Sequence, residues 1–309
     1  MKIIFMGTPD FAVCSLEALI KAGHEVTCVV TQPDRQRGRG GAVSSSPVKQ
    51  CALKYGINVL TPEKIRTEES VKSLKEYEAD IFVVCAFGQI LSEEILNMPK
   101  YGCVNIHASL LPHLRGAAPI QWSILNGDEE TGVTIQQMAK GLDTGDILYE
   151  KKIKISPDET GDSLFDRLME LGASMITELL PLIEEGRINP VKQDESKATY
   201  ASKITKEMGH INWNDDSEKI ERYVRGLNSW PSAYTYIDNR MLKIWKASVY
   251  DVFDKNTEPG TVYDTGKDYF AVKTGNGALK ILEVQLEGKK RMSTGDFLRG
   301  YSLNRETKL

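Results

Sequence analysis

The chain has 309 residues, of which 41% are hydrophobic and 27% are charged, and its formal net charge at pH 7 is −4. This length is sufficient for two domains with separate cores, and this composition is ordinary for a soluble globular protein. No apolar run is long enough to span a bilayer, and the opening KIIFMG has no features of a leader peptide. We therefore expect a cytoplasmic protein that is not globally basic.

Strands and helices alternate through the first part of the chain. The patterning predicts strands at 2–7, 24–31, 57–60, 79–88, 102–107 and 131–138, and helices at 10–23, 46–56, 68–78, 91–99, 120–127 and near 162–185. This alternation predicts an α/β domain at 1–188, with a Rossmann-like, mostly parallel sheet and helices on both faces. Ligands of such sheets bind beyond the carboxyl ends of the strands.

The second part of the chain has a different pattern. Residues 189–206 are polar and lack periodicity, which predicts a linker. The segments that follow, from MGHINW to ALKILEVQLEG, are short, alternate in polarity and are separated by turn residues, with one helical segment at 217–228. This pattern predicts a small, OB-like β-barrel domain at 207–309.

Several common cofactor sites are not supported by the sequence. The first turn reads MGTPDF, and Pro9 stands where a dinucleotide-binding loop needs its second glycine. The four histidines are scattered, so we expect no metal site. The five cysteines form no CxxC pair and lie mostly in apolar runs, which is typical of reduced core cysteines in a cytosolic protein.

Polar residues at strand ends provide the candidate site. Asn105 and His107 end an apolar strand, and the next strand continues into KGLDTGDIL, where Asp143 is placed in a tight loop at the same edge. A carboxylate there would orient the imidazole and favour its charged form. An amide and an imidazolium together would stabilise an oxyanion, which is suited to acyl transfer to an amine.

The residues alone leave other interpretations open. His107 and Asn105 are also explained as structural residues, Asp143 as a turn residue, and Asp146 competes with Asp143 as the carboxylate. Ser109 is close enough to be considered as a nucleophile, but it lacks the strained glycine elbow of such serines.

Two long segments, NIHASLLPHLRGAAPIQW and GVTIQQMAKGLDTGDIL, resemble the signature of the folate-dependent formyltransferases. The resemblance implies that 10-formyltetrahydrofolate is the co-substrate and that Asn105, His107 and Asp143 are catalytic. It also implies a folate site lined by Ser109, Leu110, Leu111 and Pro112, with a pterin pocket at Phe87, Gly88, Ile90 and Leu91.

Other segments bear on the acceptor. MGTPDFA, TQPDR and the insertion at 35–46 resemble the methionyl-tRNA formyltransferases, which act in translation initiation in bacteria. The resemblance implies a tRNA partner, the acceptor stem of methionyl-initiator tRNA. Its expected contacts are Arg35, Arg37, Arg39, Lys203 and Lys206. Residues 289–291 are explained equally as a phosphate contact and as a solvated hairpin turn.

Two alternatives remain at this level. One is a formyltransferase that acts on a sugar or another small amine, against which the basic insertion argues. The other is a tRNA- or folate-binding protein without turnover, against which the complete Asn-x-His and Leu-Asp-x-Gly motifs argue. No exposed apolar element calls for a partner copy, so we expect a monomer.

Overall fold

The computed structural model describes residues 1–37, 42–251 and 256–309. The chain divides into two compact units. The first contains Met1–Pro119, Glu130–Lys154 and Phe165–Ala201, and the second contains Ile120–Glu129, Ile155–Leu164 and Ser202–Leu309. In the described part of the chain, no helix combines the length and apolar character needed to cross a membrane.

The first unit is built on strands that alternate with helices. Its strands are β1 Lys2–Gly7, β2 Glu25–Val30, β3 Arg35–Arg37, β4 Ala42–Ser44, β5 Val59–Leu60, β6 Ile81–Cys85, β7 Cys103–His107, β8 Arg115–Gly116, β9 Glu130–Gln137, β10 Ile147–Lys154 and β11 Tyr200–Ala201. Its helices are α1 Asp10–Lys21, α2 Pro47–Lys54, α3 Glu68–Lys75 and α4 Glu93–Leu96, while α5 Pro119–Asn126 and α6 Gly161–Glu184 include residues of both units.

Seven of these strands form the main sheet, in the order β10-β9-β7-β6-β1-β2-β5. The pairs from β5 to β7 are parallel, whereas β9 is antiparallel to both β7 and β10. The predicted mostly parallel sheet is therefore confirmed. The strand β10 was missed, because ILYEKKIK is a half-exposed edge strand whose charged residues hide its pattern.

Local signals account for several helix ends. Ser46 Oγ accepts a hydrogen bond from the N–H of Lys49 and Pro47 occupies the first turn, so α2 begins where a capping residue and a proline favour it. The helix predicted at 91–99 was wrong in length, since only Glu93–Leu96 is helical before Pro99. The central strands β1 and β6 supply the core, with Ile3 to Met6 fully buried.

The second unit contains an antiparallel sheet. Its strands are β12 Ala233–Ile237, β13 Arg240–Tyr250, β14 Val262–Thr265, β15 Phe270–Lys273, β16 Ala278–Leu286 and β17 Met292–Ser293, and its helices include α7 Ser217–Gly226 and α8 Thr294–Gly300. The sheet order is β12-β13-β16-β15-β14, with β17 on β16, as expected for a small barrel. MGHINW forms a 3-10 turn at Glu207–Gly209 and a single bridge from His210 to Tyr234 instead of a strand.

Candidate active site

One face of β7 and β9 is polar, although both strands lie inside the main sheet. Asn105 lies opposite Gln136, and His107 lies opposite Thr134. Directly opposed residues of antiparallel strands share a face, so these four side chains project together. The alternate positions are buried and apolar: Val104, Ile106, Val133 and Ile135. The sequence pattern therefore places a polar site on one side of the sheet and core packing on the other.

His107 is buried at this face and contacts protein groups through both ring nitrogens. Its Nε2 lies 3.0 Å from the carbonyl oxygen of Leu114, and because a carbonyl only accepts, Nε2 carries a proton. Its Nδ1 lies 3.7 Å from Oδ2 of Asp143. That distance is longer than a hydrogen bond but short enough for strong electrostatic attraction to an imidazolium.

The Asp143 carboxylate is held from two sides. Oδ2 accepts a hydrogen bond of 2.8 Å from the N–H of Gly116, and Oδ1 accepts one of 2.9 Å from Nε2 of Gln136. Gly145 completes the loop by donating to Oε1 of Gln136 at 3.1 Å. The structure thus brings Asp143 to His107, whereas Asp146 contributes its carbonyl to the N–H of Gln137.

Ser109 lies in the turn that follows β7. Its Oγ donates to the carbonyl of His113 at 2.6 Å, and its own carbonyl accepts from Oγ1 of Thr134 at 2.7 Å. Thr134 also accepts from the N–H of Leu111 at 3.1 Å. The hydroxyl of Ser109 therefore donates to a carbonyl and ties the turn to the polar face. This arrangement does not favour its activation as a nucleophile, which requires a base.

The residues expected at the folate site lie at the same edge of the sheet. The carbonyl of Phe87, just after β6, accepts from Oγ1 of Thr8 and Nε2 of Gln32, both at 3.1 Å. Those residues follow β1 and β2, so the loops after three strands meet there. The side chains of Phe87 and Leu91 pack into the core, and Ile90 is 71% exposed. Gly88 has a positive φ, Leu111 is buried, and Leu110 and Pro112 are half-buried.

The residues expected to contact tRNA are exposed where they are described. Arg35 is in β3, which pairs with β4, and it is exposed. Arg37 ends β3, but its side chain lies outside the described part of the structure, as does the whole of Arg39. Lys203 and Lys206 are exposed in the second unit. Exposed cations of this kind are able to contact phosphates.

Sequence reasoning missed two glutamines at the site. Gln136 holds the Asp143 carboxylate, and Gln193 donates from Nε2 to the carbonyls of Asp143 and Gly145 at 2.8 and 2.7 Å. Gln136 could have been found from the sequence, because it is an amide inside an apolar strand and a buried polar group needs a hydrogen-bonding partner. Gln193 stands in a polar segment without periodicity, so the sequence carried no comparable signal for it.

Among residues 1–37, 42–251 and 256–309, no group of three or more His, Cys, Asp or Glu side chains is placed to hold a metal ion. The polar face carries the amides of Asn105 and Gln136 and the imidazole of His107, with the carboxylate of Asp143 beside them. These groups are suited to polarising a carbonyl and to stabilising the charge that develops on its oxygen.

Comparison with known families identifies the class of enzyme. A family model described as formyl transferase matches residues 1–180, and another, described as the formyl transferase C-terminal domain, matches residues 203–302. The chain belongs to the formyl transferase family. The predicted family resemblance is therefore confirmed over both parts of the chain.

Relatives of this formyl transferase match it along nearly its whole length. The methionyl-tRNA formyltransferase of Agathobacter rectalis is 54% identical over 97% of the chain and 96% of that protein. The methionyl-tRNA formyltransferase of Caldanaerobacter subterraneus subsp. tengcongensis is 51% identical over 98% of both. Because the identity extends over nearly the whole chain, these relatives contain both of its parts.

Solved structures share the fold of this formyl transferase at lower identity. The sugar 3N-formyl transferase WlaRD, crystallised with dTDP and 5-N-formyl-THF, has a TM-score of 0.65 and 23% identity, covering 94% of this chain and 99% of that one. An N-formyltransferase from Helicobacter canadensis, in complex with folinic acid and dTDP-3-aminofucose, has a TM-score of 0.65 and 21% identity, covering 94% and 100%. These likenesses establish the common architecture.

Proposed function

We propose that this formyl transferase moves the formyl group of 10-formyltetrahydrofolate to the α-amino group of methionyl-initiator tRNA, in the bacterial cytoplasm. The observation that carries the proposal is the polar face of β7 and β9, with His107 beside Asp143. It occurs in a chain that is 54% identical to a methionyl-tRNA formyltransferase over 97% of its length.

The chemistry follows from the groups at that face. The neutral amine attacks the formyl carbon, and the carbonyl oxygen becomes an oxyanion. Asn105 donates through its amide and His107 through its imidazolium to that oxygen, while Asp143 stabilises the charge on His107. Collapse returns the electrons and breaks the bond from carbon to N10 of the folate. The attacking nitrogen releases one proton as it becomes an amide, and N10 takes up one proton as it leaves, so the transfer is balanced. One oxyanion donor typically contributes a factor of about 10² to 10³ in rate.

The folate is assigned to the carboxyl edge of the sheet. The turn after β7 contributes Ser109, Leu110, Leu111 and Pro112, and the segment after β6 contributes Phe87, Gly88, Ile90 and Leu91. Support comes from the hydrogen bonds that bring the backbone of Phe87 to Thr8 and Gln32, at the ends of β1 and β2. Ligands of such sheets bind at this edge, in pockets with apolar walls and a few directional polar groups.

The tRNA is assigned to a set of cationic residues from two segments of the chain. Arg35, Arg37 and Arg39 belong to the insertion after β2, while Lys203 and Lys206 follow β11. Phosphate contacts of this kind set the position of a nucleic acid without reading its sequence. Binding energy far from the amine then supports the chemical step by orienting the methionyl group. We expect the chain to act as a monomer.

Single-turnover formylation tests this function. The purified protein is mixed with labelled 10-formyltetrahydrofolate and methionyl-initiator tRNA, with methionyl-elongator tRNA, free methionine and an amino-sugar nucleotide in parallel reactions. Label on the initiator tRNA alone is the expected outcome. Label on the sugar nucleotide or on free methionine, with none on the tRNA, would reject the proposed acceptor while keeping the chemistry. Bound folate without label on any acceptor would reject turnover itself.

A further inference from the structure

A buried arginine anchors a chain of hydrogen bonds that ends at the Asp143 loop. The side chain of Arg115 is only 1% exposed. Its Nη1 and Nη2 donate to the two carboxylate oxygens of Glu195 at 2.9 and 2.7 Å. Its Nε and Nη2 also donate to Oε1 of Gln193 at 3.1 and 2.7 Å. The planar guanidinium thus fixes two side chains of one segment at once.

Arg115 determines the orientation of the side-chain amide of Gln193. A guanidinium has donors and no acceptor, so Gln193 must turn its oxygen toward it. The amide nitrogen then points in the opposite direction, where it donates to the carbonyl of Asp143 at 2.8 Å and to that of Gly145 at 2.7 Å. Both amide protons therefore form hydrogen bonds with the same loop, at the carbonyls of the residues before and after residue 144.

One of those carbonyls belongs to a residue with an unfavourable backbone conformation. Asp143 has a φ of +51°, in the left-handed region. That conformation is unfavourable for a residue with a side chain, although less so for aspartate. The two hydrogen bonds from the oriented amide of Gln193 help to offset this cost. Gln193 therefore stabilises the backbone conformation from which the carboxylate of Asp143 faces His107.

The same segment also holds the loop on the other side of the site. The N–H of Leu114 donates to Oγ1 of Thr199 at 2.8 Å, and β11 pairs with β8. Leu114 supplies the carbonyl that contacts Nε2 of His107. Residues 193–201 therefore contact the backbone next to both members of the pair formed by His107 and Asp143.

We propose that Gln193, oriented by Arg115 and Glu195, is a positioning residue for Asp143 during formyl transfer. The inference rests on the catalytic role proposed for Asp143. Gln193 contacts the loop through backbone carbonyls and leaves the carboxylate itself untouched. Replacing Gln193 should therefore displace the Asp143 carboxylate without changing its chemistry, which lowers the rate of formyl transfer. We expect tRNA binding to stay unchanged.

Steady-state and single-turnover kinetics of Gln193→Met test the proposal, because methionine keeps the length of the side chain and removes both donors. We expect kcat to fall roughly 10- to 100-fold, the size of effect that a displacement of about 1 Å produces, with KM for the tRNA nearly unchanged. Gln193→Glu should lose at least as much, because a carboxylate oxygen would then face the two carbonyls. A value of kcat within twofold of the wild type would overturn the proposal.

A double-mutant cycle separates positioning from a general structural role. In an Asp143→Asn background, Gln193→Met should cause little further loss, since the group that it positions is already absent. An equal loss in both backgrounds would reject the positioning role. Val71→Ala in α3 is the matched control for stability, because it opens a small cavity in the first unit and should leave kcat unchanged.

Hydrogen–deuterium exchange of the free protein gives a reading that does not depend on the acceptor. Peptides covering 138–146 should exchange faster in Gln193→Met than in the wild type, and peptides covering β1 should not. Unchanged exchange at 138–146 would count against the proposal even if transfer to tRNA were confirmed. Faster exchange in a protein that formylates no tRNA would instead reject the proposed function alone.

Discussion

Oδ2 of Asp143 lies 3.7 Å from Nδ1 of His107. The carboxylate does not reach the imidazole directly, because its oxygens are already held by the N–H of Gly116 and the amide of Gln136. At this separation Nδ1 is not tied to the carboxylate by a direct hydrogen bond, and Oδ2 is close enough to attract positive charge on the ring.

Replacing this carboxylate should slow transfer without affecting tRNA binding. For Asp143→Asn we expect kcat to fall about 10²-fold or more, since the charge that stabilises imidazolium is lost. KM for the tRNA should stay within a small factor, as measured by formylation at varied tRNA concentration. Asp146→Asn is the matched control, because that neighbouring carboxylate is not the one beside His107. Equal losses in the two variants would contradict the assignment.

Gly116 should not tolerate a side chain. Its φ is +115°, and an added Cβ would lie 2.8 Å from the carbonyl oxygen of Ala201. Gly116→Ala should lower the free energy of unfolding by roughly 1–3 kcal/mol and displace the N–H that holds Asp143, so kcat should fall as well. Urea denaturation and formylation kinetics measure the two effects.

Gly56 provides the matched control for that substitution. It also has a positive φ, of +69°, but an added Cβ would meet nothing within 4 Å. Gly56→Ala should therefore lose stability through backbone strain alone and keep its activity. Full activity in Gly116→Ala would show that its N–H is not needed to hold the carboxylate.

We predict that the insertion after β2 contributes to tRNA binding through an electrostatic contact between Arg39 and a tRNA phosphate. Arg39→Ala should lower kcat/KM for the tRNA with a small effect on kcat. The slope of log(kcat/KM) against log[salt] should become shallower by about one unit, because one phosphate contact is lost. Lys72→Ala, an exposed cation in α3, is the control and should leave the slope unchanged. Parallel slopes for wild type and Arg39→Ala would argue against a tRNA contact at that residue.

The ion pair between β10 and α6 should make stability depend on acidic pH. Hydrogen bonds from Lys151, Ser174 and Tyr149 lower the pKa of Glu178 from 4.5 to about 2. A depressed carboxyl pKa stabilises the folded state above pH 4.5, and this contribution is lost as the pH falls toward 2. The pair is partly exposed, so we expect Glu178→Gln to lose less than about 1 kcal/mol at pH 7.

Urea denaturation at several pH values measures this effect. The difference between wild type and Glu178→Gln should shrink as the pH falls below 4.5. Adding Lys151→Met to Glu178→Gln should cost less than the sum of the single losses, because both remove the same pair. A difference that is constant with pH would show that the charge of Glu178 does not contribute.

The buried thiols should be inert in the folded protein. Burial raises the pKa values of Cys28, Cys85 and Cys103 from 9.0 to about 12. A disulfide reagent at pH 8 should label the native protein slowly and mainly at the half-buried Cys14, whereas all five cysteines should react in denaturant. Rapid labelling of all five without denaturant would contradict this burial.

The same thiols contribute to the alkaline limit of stability. Because their folded pKa values are raised, the unfolded chain releases protons first, and the folded state loses stability as the pH rises from 9.0 toward 12. Substituting Cys103 with alanine should flatten this decline at some cost at neutral pH. A decline of equal steepness in Cys103→Ala would assign it to other groups.

The sequence by itself determined the parts that depend on local pattern. Alternation of apolar strands and helices indicated the parallel part of the sheet, because a strand that is buried on both faces must be apolar throughout. Asn105 and His107 were identifiable because a polar pair at the end of such a strand is exceptional. The glycines around Asp143 marked a tight loop for the same kind of local reason.

Only the tertiary structure determined which distant segments of the chain contact each other. Gly116 contacts Asp143 across 27 residues, Gln193 contacts the same loop across 50, and Arg115 reaches Glu195 across 80. Nothing periodic marks these partners, because each bond depends on how loops meet after the sheet has packed. The edge strand β10 was hidden for a related reason, since its pairing with β9 stabilises it more than its own apolar pattern does.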